Sequence, residues 1–120
     1  MIQGLDDTIL KYRKFTRLQS DKLSFIYTTL KSFKKIFIKN KELDKAYFKS
    51  YFKSIYYEID LLQDILKTCS KDLEFFLNSE NDIGCLSFLQ IRNLQFNLDY
   101  LADRQCNKCL EILENCINLI

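Results

Sequence analysis

Two cysteines three residues apart have the spacing most suggestive of chemistry in this chain. Cys106-x-x-Cys109 places two thiols on one face of a helix, where both could reach one zinc or copper ion. Cys116 lies about two turns farther on, roughly 10 Å away, which is too far for the same tetrahedral site. All three also fall on apolar helix positions, where a reduced cysteine is a small apolar residue. We therefore expect packing thiols and no metal, with Cys106 and Cys109 as the alternative metal-binding pair.

Groups for catalysis are sparse. The chain has no histidine, the commonest general base and the usual partner of Ser and Cys nucleophiles. Its two glycines, Gly4 and Gly84, stand alone, so there is no glycine-rich phosphate loop. The acidic residues between Asn78 and Gly84 lack the alternating ligands of a calcium loop. The sequence predicts a non-enzymatic protein with no cofactor and no small-molecule substrate.

Lysines and aromatic residues alternate in a four-residue repeat that begins Lys45-Ala-Tyr-Phe, Lys49-Ser-Tyr-Phe. On a helix this spacing aligns the lysines on one ridge, with tyrosines beside them. Three interpretations fit the pattern. The side chains cover the core with wet hydroxyls and lysine stems, they form a docking surface for a protein or a second copy, or they contact phosphates and bases of a nucleic acid.

Charge is segregated along the chain. Residues 1–53 hold 13 Lys and Arg against 5 Asp and Glu, whereas residues 54–120 hold 5 against 11. In an antiparallel bundle the lysines around the first connection meet at one pole, and these are Lys31, Lys34, Lys35, Lys39, Lys41, Lys45, Lys49 and Lys53. Nucleic-acid binding by this pole is the alternative function, with low sequence specificity because arginine, the usual base-reading residue, is scarce here.

The leading expectation is a module that binds a protein partner, of the adaptor, chaperone, immunity or inhibitor type. Its surface combines the aromatic–lysine segment with an apolar C-terminus. The expected partner-binding residues are Lys45, Tyr47, Lys49, Tyr51, Lys53, Tyr56, Tyr57, Ile117, Leu119 and Ile120. A homodimer in which oppositely charged poles of two copies meet is a further alternative.

The elements that position these residues follow from apolar heptads. The seam of the central helix comprises Phe48, Phe52, Ile55, Ile59, Leu62, Leu66, Cys69, Leu73 and Phe76. The first helix continues one register from Leu5 to Phe37, with two polar occupants, Thr16 and Gln19, just before Ser20. We expect one continuous helix, and two helices if the chain breaks near Ser20.

The third register passes through Leu98, Ala102 and Cys106, and these successive four-residue steps form a stutter that locally unwinds a supercoil. Proline is absent, so few and long elements are expected. We place the first cap at Asp6 or Asp7, the first turn at Asn40, the second helix over 42–77 and a linker over 78–84.

The predicted fold is therefore all-α: an antiparallel up-down bundle of three long helices, or four with a break near Ser20, in one domain over residues 1–120. No basic-then-apolar leader and no apolar run of about 18 residues is present in the sequence. We expect a cytoplasmic protein, of the producing cell or of an infected host, with no membrane partner.

Overall fold

The computed structural model describes residues 4–39, 44–79 and 83–120, and these are almost entirely helical. Helix α1 spans Leu5–Lys39 and α2 spans Lys45–Ser79; α3 spans Cys85–Tyr100, a π-helical turn covers Leu101–Gln105, and α4 spans Cys106–Asn118. Because α3, the π-helical turn and α4 follow one another without a gap, residues 85–118 form a single rod, called here the third helix. The predicted all-α bundle of three long helices is confirmed. It measures 62 × 18 × 18 Å.

The first helix does not break at Ser20. Thr16, a polar residue in its seam, is accommodated because its hydroxyl donates to the Tyr12 carbonyl at 2.6 Å. The prediction of one continuous helix is confirmed. The predicted caps are wrong, because the helix starts at Leu5 and Asp6 and Asp7 lie inside its first turn. Their negative charge there interacts favourably with the positive end of the helix dipole.

The observed helix starts are set by the residues just before them. Gly4 has φ of 83°, a conformation that favours glycine, and its carbonyl accepts the Thr8 N–H at 3.0 Å. Asp44 caps α2, since its carboxylate accepts the Tyr47 N–H at 3.2 Å. The second helix therefore starts at Lys45 and ends at Ser79, two residues beyond its predicted end. The predicted turn residue Asn40 and the predicted start at residue 42 lie outside the described residues.

The core follows the three predicted seams. Fully buried positions include Leu23, Phe52, Leu66 and Leu98. The stutter in the third helix is absorbed by the π-helical turn, which buries Leu101 and the neighbouring Ala102 together. An extra residue per turn keeps the apolar stripe facing the other helices where a regular helix would rotate it away.

The π-helical turn frees one backbone carbonyl from its usual hydrogen bond within the helix, so that it can accept one from another helix. The Cys106 N–H donates to the Leu101 carbonyl instead of the Ala102 carbonyl. The freed Ala102 oxygen accepts the side-chain amide of Gln63, on α2, at 2.7 Å. The same amide donates to Asn107 at 3.1 Å, so Gln63 fixes the register between α2 and the third helix.

The third helix is the centre of the bundle. It lies close to both other helices, whereas no Cα atom of α1 is within 8 Å of one of α2 among the described residues. Small side chains explain its close approach: the thiols of Cys109 and Cys116 donate to the α1 carbonyls of Leu23 and Leu30 at 3.3 and 3.2 Å. Large rings hold α1 and α2 farther apart.

Candidate interaction surfaces

An aromatic cluster joins the end of α1 to the start of α2. The rings of Phe33 and Phe52 lie 6.0 Å apart and those of Phe37 and Phe48 lie 4.9 Å apart, each pair edge to face. Tyr51 is edge-on to Phe33 at 5.8 Å. The phenylalanines of the aromatic repeat therefore pack against α1 and stabilise the fold, and Tyr51 lies at the solvent-exposed edge of this cluster.

The exposed tyrosines of α2 lie on two different sides of the helix. Tyr47 stacks on Tyr51 at 6.4 Å, next to α1. Tyr56 instead lines a groove of about 380 Å³ between α2 and α4, together with Leu110, Glu114 and Ile117. The structure therefore divides the predicted aromatic–lysine surface into an α1 side and an α4 side.

The two parts of the predicted partner-binding set meet at this second groove. Tyr56 and Ile117 belong to sequence regions more than fifty residues apart, yet they line the same groove. Tyr57 is exposed with its ring 5.8 Å from that of Tyr56. Leu119 is also exposed, whereas Ile120 packs partly against the core.

The lysines of the repeat face solvent. Lys45, Lys49 and Lys53 are exposed, and none of them forms an ion pair within the described part of the chain. Helical spacing places Lys49 and Lys53 on the outer side of α2, between Tyr56 and Tyr57. The α4 side of α2 thus combines exposed lysines with a groove that has an apolar floor and two glutamates in its lining.

The lysines at the end of α1 surround a different groove. It has a volume of about 540 Å³ between α1 and α4, and its lining includes Lys31, Lys34, Lys35, Lys108 and Glu111. The ammonium group of Lys108 also lies 4.4 Å from the ring centre of Tyr27. Of the other predicted pole residues, Lys39 is exposed at the end of α1, and Lys41 lies outside the described residues. The pole is therefore two basic surfaces separated by α4, whose Glu111 and Glu114 carry negative charge between them.

The cysteines are set up for packing. Burial raises the pKa of Cys106 to about 12, with a further contribution from the neighbouring Cys109, and it raises the pKa of Cys109 to about 11. The pKa of Cys116 is raised by burial as well. At neutral pH these thiols hold their protons, whereas a metal ligand must be a thiolate. No group of three or more potential metal ligands occurs among residues 4–39, 44–79 and 83–120.

Sequence reasoning missed a polar network between α2 and α3. The buried amide of Gln95 donates to the Ser70 carbonyl at 3.1 Å and to the Glu74 carboxylate at 2.9 Å. Arg92 pairs with Glu74 and donates to the Gln95 side-chain oxygen at 2.9 Å. These hydrogen bonds, from Gln95 first and then Arg92, lower the pKa of Glu74. In the sequence, the only indication that Gln95 could be buried is its place directly after Leu94, a residue of the apolar seam.

Comparison with known proteins adds no further constraint. No family model matches the chain, and no curated protein or solved structure matches it significantly. In the part of the chain that the structure describes, no helix is long and apolar enough to cross a membrane.

Proposed function

We propose that this chain is a non-enzymatic helical interaction module that binds a protein partner on the α4 side of α2. The observation that carries the proposal is the shared groove of Tyr56 and Ile117, which joins the aromatic–lysine segment to the apolar C-terminal turn. One tyrosine and three apolar residues, bordered by polar and charged side chains, have the composition of a protein interface core with a polar edge.

The groove favours a partner of a particular chemistry. Leu110, Leu113 and Ile117 offer an apolar floor, and Glu111 and Glu114 place negative charge in the lining of the groove. Lys49 and Lys53 are exposed on the neighbouring outer side of α2 and offer positive charge beside it. An amphipathic helix or extended segment matches these features when its apolar anchors are flanked by acidic residues toward Lys49 and Lys53 and by basic residues toward Glu111 and Glu114. Its binding would weaken with salt but persist, because apolar contact supplies most of the affinity and charge mainly speeds encounter.

The direct experiment is quantitative affinity capture from the cell in which the chain acts, with three baits. These are the wild type, the double variant Tyr56→Ser with Ile117→Ser, and the control Leu86→Ser, whose leucine is exposed on α3 away from the groove. We expect a protein that is captured by the wild type and the control and lost with the double variant. Capture of the same proteins at the same level by all three baits would refute the assignment of this surface.

We further propose the cytoplasm, of the producing cell or of an infected host, as the place where the module acts. Cys69 and Cys85 as well as the three buried thiols of the third helix are unpaired. Five free thiols in a small chain suit a reducing compartment, since oxidising compartments favour disulfides in small domains. Recovery of the chain in a secreted, disulfide-linked form would contradict this location.

A second candidate function is low-specificity nucleic-acid binding. The observation that favours it is the groove between α1 and α4, where four lysines surround one space. Binding there would be driven by phosphate contacts and would fall steeply with salt. Glu111 within the groove opposes it, because a carboxylate repels phosphate.

Fluorescence anisotropy with single-stranded and duplex probes separates this candidate from the first. Binding at low salt that is abolished by Lys31→Glu with Lys35→Glu, and retained in the control Lys71→Glu on α2, would support nucleic-acid binding. Unchanged anisotropy at micromolar protein and low salt would refute it.

A further inference from the structure

The face of the bundle shared by α1 and α2, opposite the third helix, has a second set of apolar positions. With the core seam at heptad positions a and d, Leu23 and Leu66 are a residues. The g position precedes each a residue, and the c position follows it by two. The g residues of the two helices face one another: Lys22 pairs with Glu58 at 2.6 Å, and Tyr51 contacts Phe33 of α1. The g and c residues of both helices are called here the α1/α2 face.

We propose that the α1/α2 face binds a second copy of this chain, so that α1 of each protomer packs on α2 of the other. This inference goes beyond the proposed function, because the α1/α2 face is separate from the groove between α2 and α4. It assigns Tyr47 and Tyr51 to self-association, and it leaves Tyr56 and Ile117 for a different partner.

Exposed apolar side chains are concentrated on the α1/α2 face. Twelve large apolar or aromatic side chains are exposed on α1 and α2, and eight of them lie on the α1/α2 face. By contrast, g and c account for two of every seven heptad positions. The members on α1 are Leu18, Phe25 and Ile36. The members on α2 are Tyr47, Tyr51, Leu61, Ile65 and Phe75.

Along the α1/α2 face the two helices are widely spaced in one protomer. The backbones of α1 and α2 do not approach within 8 Å at any described Cα pair. Near the start of α1 a largely apolar cavity of about 180 Å³ lies among α1, α2 and α3, and its lining includes the g residues Thr8 and Asp72 as well as Ile91 and Leu94 of α3.

The apolar residues on the α1 half of the face lie at the same heights along the bundle as those on the α2 half. The ion pair of Lys22 with Glu58 and the contact of Phe37 with Phe48 fix which residues of α1 and α2 lie at the same height. On that scale Leu18 is level with Ile65, and Ile36 is level with Tyr47. A two-fold axis parallel to the bundle would place each α1 antiparallel on the partner's α2, so these apolar residues would meet across the interface.

The two halves of the α1/α2 face carry opposite charge. The charged residues of the face are all lysine on α1, namely Lys11, Lys22 and Lys39, and all acidic on α2, namely Glu58 and Asp72. The same two-fold axis brings Lys11 opposite the second copy's Asp72, and each such contact occurs twice. A face with one sign of charge on each half is complementary to itself only when α1 meets α2.

The available area suffices for a stable dimer. The exposed fractions of the eight residues range from 36% for Tyr51 to 75% for Phe75, so with large side chains of about 200 Å² they together present on the order of 900 Å² of surface. A standard interface buries about 800 Å² on each partner.

The first experiment is molar mass by size-exclusion chromatography with light scattering, at protein concentrations from about 1 to 100 μM, a range that brackets micromolar affinity. We expect twice the chain mass for the wild type. Leu61→Glu on the face should give the single-chain mass, whereas the matched control Leu86→Glu, which is equally exposed on α3, should remain dimeric. Circular dichroism checks that each variant is folded. A single-chain mass for the wild type throughout, or an unchanged dimer for Leu61→Glu, would overturn the proposal.

The second experiment tests the α1-on-α2 arrangement. Lys11→Glu and Asp72→Lys should each weaken the homodimer, because each places like charges at both symmetry-related contacts. In an equimolar mixture of Lys11→Glu and Asp72→Lys, one contact joins the two substituted positions and the other joins the unchanged Lys11 and Asp72. Both contacts then pair opposite charges, so a heterodimer should form. Failure of the mixture to associate more tightly than either variant alone would overturn this arrangement. The capture experiment with Tyr56 and Ile117 variants reads a different surface, so the two proposals fail separately.

Discussion

The two sides of α2 show how differently one helix can be used. Toward the third helix its side chains make specific polar contacts: Gln63 reaches the free Ala102 carbonyl, and Ser70 and Glu74 hold Gln95. Toward α1 the contacts are rings and one exposed ion pair, and the backbones stay apart. The first side fixes the fold through hydrogen bonds of defined geometry, whereas the second leaves apolar surface for another molecule.

Small residues on the third helix are the origin of this difference. Ala102, Cys106, Cys109 and Cys116 are buried and let the third helix approach α1 and α2 closely. The opposing positions between α1 and α2 near the pole are phenylalanines, which are too large for the same approach. The side of α2 that packs closely on the third helix is called here the closed side, and the side that faces α1 at a wider spacing is called the open side. The difference between them follows from side-chain volume at matching seam positions.

The largest expected effect concerns thiol reactivity on the closed side. With its pKa raised to about 12 from 9.0, Cys106 should have on the order of 1000-fold less thiolate than an ordinary thiol at about pH 8. Iodoacetamide labelling followed by peptide mass spectrometry should modify the exposed Cys85 first and Cys106 and Cys109 far more slowly. The slow rates should rise about tenfold per pH unit while the protein stays folded. Equal labelling rates for Cys85 and Cys106 would show that the packing of the third helix does not shield Cys106.

The next effect contrasts two leucines of α2. Leu66 is fully buried against the other helices, so Leu66→Ala should lower the free energy of unfolding by about 2–5 kcal/mol. Leu61 is exposed on the α1/α2 face, and Leu61→Ala should change the stability of the isolated protomer by less than about 0.5 kcal/mol. Urea denaturation at low protein concentration measures both. Similar losses for the two variants would contradict the assignment of closed and open sides.

A smaller effect is expected where α2 supports the π-helical turn. Gln63→Ala removes the donor to the Ala102 carbonyl and should cost about 1–2 kcal/mol in the free energy of unfolding. Asn107→Ala is the control, because it removes the second acceptor and leaves the bond from Gln63 to Ala102 intact. Thermal unfolding in parallel should rank Gln63→Ala as the less stable variant. The reverse ranking would show that the freed carbonyl does not need this partner.

The smallest effect belongs to the ion pair across the open side. Lys22 and Glu58 are both about half exposed, so Lys22→Ala should lower protomer stability by no more than about 1 kcal/mol. The loss should shrink further in high salt. Urea titrations at two salt concentrations measure it. A large, salt-independent loss would indicate that the pair holds the bundle together and that the α1/α2 face is not free.

Much of the fold could be predicted because its seams are nearly unbroken. The apolar heptad repeat that includes Leu23, Leu30 and Phe37 is long enough to keep α1 one helix despite the polar seam residues Thr16 and Gln19. The stutter at Ala102 also predicted a local irregularity, but a four-residue step does not reveal whether the helix unwinds gently or forms a π-helical turn. Helix starts were less accurate, since Gly4 and Asp44 act through local backbone geometry that heptad spacing does not report.

The candidate surfaces were harder to predict. Tyr47, Tyr51, Tyr56 and Tyr57 form one compact block in sequence, but a helix sends adjacent residues to different sides, and only the packing shows which neighbour each side meets. The meeting of Tyr56 with Ile117 required the third helix to lie beside α2 in a defined register. The apolar residues of the α1/α2 face were individually visible, but their significance depends on the gap between α1 and α2.

The most direct test of the open α1/α2 face is site-specific photo-crosslinking in the intact chain. A photoreactive phenylalanine analogue replaces Phe25, which is exposed on the face, or Phe96, which is equally exposed on α3. We predict a product of twice the chain mass for position 25, with the crosslink on the second copy's α2 near Leu61, and none for position 96. A doubled product at position 96 alone, or none at position 25, would contradict the account.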